Sequence, residues 1–107
     1  MTSDDVLQFI RDCLADRRVL WTYHMNMRMN TRLITRHMVL DATGLEVIES
    51  YPDDKYFPSY LVLAWHGNDV FHVLFAIDTD NNNVRVVTVY RPNSEIWQND
   101  MKTRRKE

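Results

Sequence analysis

Apolar and polar residues follow two different rhythms along the chain. Val6, Phe9, Ile10 and Cys13 recur at three- and four-residue steps, which places them on one face of a helix. Ser3, Asp4 and Asp5 stand at its start, where a serine oxygen accepts from free first-turn amides and carboxylates favour the helix dipole. The spacing predicts an amphipathic helix running to about Arg17. Val19 to Tyr23 is β-branched and aromatic and reads as a short extended stretch. His24 to Arg32 mixes methionines and arginines and suits a second helix. Thr35 caps a third, short helix that Gly44 ends.

From Leu45 the rhythm is that of strands. Leu45 to Tyr51 is the first, closed by Tyr51-Pro52-Asp53-Asp54, where proline presets a turn. Tyr60 to Trp65 and Val70 to Ile77 flank His66-Gly67-Asn68-Asp69, a two-residue hairpin signal with glycine first. Asp78 to Asn83 is a second polar turn leading into Val84 to Tyr90. The tail from Ser94 to Glu107 is expected to be helical at first and frayed at its end. The elements add up to an α+β fold, with N-terminal helices packed on a four-stranded, mostly antiparallel sheet. The whole chain, 1–107, reads as one domain, because two cores in 107 residues would each be too small.

Strand register makes a sharper expectation. The Gly67-Asn68 turn places Leu63 opposite His72, with Leu61 and Trp65 on the same face. A five-residue loop from Thr79 to Asn83 brings Tyr90 opposite His72, whereas a four-residue loop places Val89 there. Only the former groups His72, Thr88 and Tyr90.

Apolar residues make up 45% and charged residues 26% of the chain, the balance of a globular protein. The first residues carry two acids where a secretory signal is basic, and no apolar run has the length of a membrane helix. A cytoplasmic protein with no membrane partner is expected. Cys13 is the only cysteine, which rules out an intrachain disulfide and a cysteine-rich zinc site; it reads as a buried structural thiol. The net charge of −2 hides a segregation. Arg17, Arg18, Arg28, Arg32 and Arg36 fall between Asp16 and Asp41 with no acid among them. Asp41, Glu46, Glu49, Asp53 and Asp54 follow without a base, and Lys102, Arg104, Arg105 and Lys106 make the tail basic again. A bipolar molecule with a locally positive surface follows, unless these charges pair with one another.

Candidate chemistry is concentrated in the histidines and arginines. His24, Arg28 and Arg32 lie at four-residue steps and share one helix face, with Arg36 just beyond. Clustered guanidinium groups suit a phosphate site, although the same arginines are able to pair with Glu46, Glu49 or the acids near Asp53. His72 sits in an apolar strand and is either a satisfied core group or a poised one. The histidines show no ligand spacing, no nucleophile elbow is present, and two glycines cannot form a phosphate-cradling loop. Neither a metal nor a cofactor is expected. Tyr51, Tyr56, Phe57, Tyr60, Tyr90 and Trp97 cluster at turns and strand ends, where rings serve packing or stack on bases.

In order along the chain come His24-x-x-x-Arg28-x-x-x-Arg32, a capped short helix, Tyr51-Pro52-Asp53-Asp54, Pro58-Ser59-Tyr60-Leu61-Val62-Leu63, Phe71-His72-Val73-Leu74-Phe75-Ala76, Val87-Thr88-Val89-Tyr90-Arg91-Pro92 and Trp97. This order resembles an uncharacterised bacterial domain family of the RelE-like toxin superfamily, often encoded beside MqsA-like zinc-finger antitoxins, and the resemblance covers 19–97. It implies a RelE-like fold, a toxin role in a type II toxin-antitoxin system, a zinc-finger antitoxin as partner and cleavage of mRNA. For metal-independent cleavage the residues nominate His24 and His72 as base and acid, Tyr90 as proton donor or orienting group, and Arg28 and Arg32 as phosphate grips. Arg36, Arg91, Lys102 and Arg104 extend the surface offered to RNA. The competing expectation is a non-catalytic module that docks RNA or an acidic protein through its basic helix face.

Overall fold

The computed structural model describes residues 2–21 and 34–105. Helix α1 (Ser3–Ala15) is capped by Thr2, one residue before the serine expected there. The Thr2 hydroxyl accepts from the Asp5 amide at 3.1 Å and the Asp5 carboxylate accepts from the Thr2 amide at 3.2 Å, so two orphan donors are satisfied reciprocally. The helix stops at Ala15, short of Arg17. Arg17 turns into the left-handed region at φ 62°, and the Arg17 and Arg18 amides reach back to the Leu14 and Cys13 carbonyls, closing the last turn.

The sheet has five strands, not four, in the order β1-β5-β4-β3-β2. The extended stretch after α1 becomes β1 (Val19–Trp21), an edge strand parallel to β5. The other strands, β2 (Gly44–Tyr51), β3 (Ser59–His66), β4 (Asp69–Asp78) and β5 (Asn83–Tyr90), form an antiparallel meander. Helix α2 (Arg36–Leu40) starts where Thr35 was expected to cap it, with the Thr35 hydroxyl accepting from the Met38 amide at 3.1 Å. It ends at Asp41, and Gly44 opens β2 instead of ending the helix. A Cβ on Gly44 would run into the Trp65 indole, so the close approach of that ring favours glycine here. The helix predicted over His24 to Arg32 lies outside the described residues.

Helices α1 and α2 cover one sheet face. Val6, Ile10, Cys13 and Leu14 from α1 and Met38 and Val39 from α2 meet alternate residues of the strands, among them Val62, Phe71, Val73, Phe75, Val84 and Val86. Tyr60 belongs to this core. Burial raises the Cys13 thiol above its ordinary value, as suits a structural cysteine. No described helix is long and apolar enough to cross a membrane.

Residues 93–105 replace the expected tail helix with a turn-rich strap. It folds back on itself through a Trp97–Arg104 bridge, amide bonds from Gln98 to Thr103 and from Arg105 to Ile96, and the Asp100 carboxylate, which accepts from the Lys102 and Thr103 amides. The strap lies on the sheet face opposite the helices, and there it meets His72.

Candidate active site

Two β-bulges decide which side chains reach the strap face. Along β2 the pairing runs from Val47 opposite Val62 to Glu49 opposite Leu61, leaving Ile48 without a partner. The extra residue puts Glu46, Glu49 and Tyr51 on one face, although 46 and 49 are an odd number apart. Along β5 the loop Thr79–Asn82 has four residues, since Asp78 pairs with Asn83. A regular ladder from that turn would place Val89 opposite His72. A shift between Phe75–Val86 and Leu74–Thr88 leaves Val87 unpaired and delivers Tyr90 opposite His72. Of the two pairings left open, His72 opposite Tyr90 is the one present, although the loop is the four-residue one tied to Val89; the bulge makes the difference. Leu63 stands opposite His72 on the other side, as the first hairpin predicts.

His72 is 0% exposed. Its Nε2 lies 2.7 Å from the Met101 carbonyl of the strap and its Nδ1 lies 3.1 Å from the Tyr90 hydroxyl. A carbonyl only accepts, so Nε2 carries the proton, and the lone pair on Nδ1 accepts from Tyr90. Trp97 seals the ring edge-on, with centroids 4.5 Å apart and planes at 90°. Burial pushes His72 below the ordinary histidine value and Tyr90 above the ordinary phenol value. The pair is therefore a neutral imidazole facing a protonated phenol.

Beside it lies a charged group built from β2 and the strap. Arg104 grips Glu49 with two bonds, Nε to Oε2 at 2.7 Å and Nη2 to Oε1 at 3.1 Å, and its guanidinium stacks 4.6 Å from the Trp97 ring centre. The Tyr51 hydroxyl donates to the same carboxylate. The Arg104 hydrogen bonds hold Glu49 below the ordinary carboxylate range, and the Glu49 carboxylate holds Tyr51 above the ordinary phenol value. Glu49 and Arg104 act electrostatically on both His72 and Tyr90. Imidazole, two phenols, a carboxylate and a guanidinium thus share one site, with Arg104 and Tyr51 at its open side.

Of the residues nominated from the sequence, His72 and Tyr90 come together and Arg104 joins them. His24, Arg28 and Arg32 lie outside the described residues. Arg36 stacks on Trp21 at 5.1 Å, on the helix side of the sheet and away from His72. Arg91 pairs with Asp69 at 3.2 Å and Lys102 with Glu46 at 2.8 Å. Glu49 and Tyr51 were read only as an ion-pair partner and a strand-end ring, because Arg104 reaches Glu49 from 55 residues away in sequence. Trp97, a large aromatic residue in a mostly polar tail, was a signal of the strap. Among the described residues no group of three or more histidine, cysteine, aspartate or glutamate side chains is placed to hold a metal.

A family model described as a domain of unknown function, DUF4258, matches residues 21–91, which takes in β2 to β5, the last residue of β1, and both His72 and Tyr90. No curated protein and no solved structure matches the chain.

Proposed function

From the premise that the chain belongs to the DUF4258 family, we propose that it is the toxin of a type II toxin-antitoxin pair, a metal-independent endoribonuclease of RelE-like descent restrained by a zinc-finger antitoxin. The observation that carries this reading is the convergence of Tyr90, His72, Tyr51, Glu49 and Arg104 on one sheet face. Cleavage by the RNA's own 2′-hydroxyl needs a base, an acid and a cation, and this cluster supplies each. The Tyr90 oxygen takes the 2′-hydroxyl proton as its own proton passes to Nδ1 of His72. The imidazole stays buried and acts through the phenol. The 2′-oxygen attacks phosphorus and the bond to the 5′-oxygen breaks, leaving a 2′,3′-cyclic phosphate. Tyr51, kept protonated by Glu49, gives its proton to the departing 5′-oxygen. Arg104 faces the charge that builds on the phosphate oxygens.

The test is incubation of purified protein with RNA in the presence of EDTA. Cleavage leaving cyclic phosphate ends is expected, with Tyr90→Phe reducing it roughly 10²- to 10⁴-fold. Loss of all cleavage in EDTA, restored by a divalent ion, overturns the metal-free mechanism. A second reading draws on the same coordinates: both nitrogens of His72 are already bonded, which also suits a purely structural histidine in a docking module. On that reading expression does not arrest growth, and His72→Gln leaves partner binding intact. Growth arrest relieved by an adjacent zinc-finger protein favours the toxin.

A further inference from the structure

The strap leaves the other end of this sheet face open. There a groove of about 370 Å³ runs between the loop before β3 and the bulged part of β5. Tyr56 stands at its edge with 82% of its surface exposed, and Val87, the unpaired bulge residue, is also exposed. Arg85 lays its guanidinium 4.9 Å from the Phe57 ring centre, and Lys55 lies 5.4 Å from that of Tyr56. Asp54 and Ser59 complete the lining. Each of two neighbouring rings thus has a cation over it, Lys55 on Tyr56 and Arg85 on Phe57, beside an apolar floor.

Register ties the groove to the cluster around His72. Ala76 lines the groove and pairs with Arg85. His72 and Ala76 share a face of β4 and are four residues apart, about 13 Å along the strand. A short extended stretch of polynucleotide spans that distance, so a chain with its scissile phosphate at Arg104 lays a neighbouring base over Tyr56. An aromatic platform next to fixed cations is the chemistry that holds single strands: rings stack on base faces while cations meet the phosphates. The Arg85 guanidinium, held over the Phe57 ring, serves the same purpose. The Asp54 carboxylate offers an acceptor to a base edge, while the buried Ser59 hydroxyl donates to the Phe57 carbonyl at 3.2 Å and fixes the floor.

We infer that the groove between Tyr56 and Arg85 is a base-stacking subsite for single-stranded RNA flanking the cleaved phosphate. The assignment rests on the nuclease reading for its orientation, but its test does not. A fluorescently labelled octanucleotide with 2′-O-methyl groups throughout cannot be cleaved by its own 2′-oxygens, so its binding is read apart from catalysis. The intact protein is expected to bind it, and Tyr56→Ala and Arg85→Ala each weaken binding roughly fivefold or more. Tyr56→Phe keeps the ring and is expected to keep the affinity. Both side chains are exposed, so melting temperatures stay close to that of the parent. Equal octanucleotide affinity for parent and variants overturns the subsite while leaving the nuclease intact. Absence of octanucleotide binding by the parent overturns it too. Displacement of the octanucleotide by polyglutamate but not by mononucleotides assigns the groove to a protein and overturns the RNA assignment. Binding that depends on Tyr56 in a protein without cleavage activity supports the subsite and counts against the nuclease.

Discussion

At the scale of single residues, His72 is where stability and chemistry meet. An imidazole with both nitrogens bonded and no exposed surface stays neutral because burial lowers its affinity for protons. The unfolded chain, with an ordinary value near 6.5, binds a proton that the folded protein resists. The contribution of His72 is therefore complete above about pH 6.5 and is lost as pH falls from there towards the depressed folded value, at a limiting slope of about 1.4 kcal/mol per pH unit. Glu49 is also held low, by Arg104, so its contribution is present above the ordinary carboxylate value near 4.5 and goes only at lower pH. Urea midpoints measured from pH 8 to pH 5 are expected to fall below about 6.5 in the parent and to run flatter in His72→Gln. An unchanged pH profile in that variant would show that another group is responsible. The sequence identified His72 as either satisfied or poised, and left Tyr90 or Val89 open as its cross-strand neighbour. It could not show the carbonyl of Met101, because a backbone acceptor from a distant strap leaves no mark on residue type.

At the scale of elements, the strands were legible and their irregularities were not. The period-two pattern located β2 to β5 and both hairpins, since half-buried strands must alternate. A bulge adds one residue without changing composition, so neither the break at Ile48 nor that at Val87 was visible. Yet those breaks aim Glu49, Tyr51 and Tyr90 at the strap face, a known use of bulges near functional sites. β1 has three residues, too few for a period to establish itself, and only its pairing with β5 makes it a strand. Gly44 was misread for a related reason: glycine after a helix suggests a cap, whereas here the close approach of Trp65 demands it. Gly44→Ala is expected to cost about 1–3 kcal/mol by overpacking, read from urea denaturation. Adding Trp65→Leu to that variant is expected to recover part of the loss, because neighbouring sites couple. A neutral Gly44→Ala would show that the indole moves aside freely.

At the scale of the whole molecule, much of the segregated charge among the described residues is paired internally. The acids of β2 hold the basic tail through Glu46–Lys102 and Glu49–Arg104, while Asp41 holds Arg17 and Asp69 holds Arg91. Solvent screening leaves such surface pairs weak, so they orient the strap more than they fasten it. The fastening comes from Trp97, which is 2% exposed against His72; Trp97→Ala is expected to cost about 3–5 kcal/mol, measured by urea denaturation. A strap that merely covered the imidazole would act as a lid, and its removal would raise activity. This strap also carries Arg104, the cation at the open side of the cluster, and so belongs to the site it covers. Arg104→Ala is therefore expected to lower RNA cleavage about 10²- to 10³-fold, with Arg104→Lys recovering only part because a point charge does not replace the planar fork gripping Glu49. Truncation after Pro92 is expected to abolish cleavage. Faster cleavage by the truncated chain than by the intact one would show that the strap shields the site and that the transition-state cation lies elsewhere in the protein.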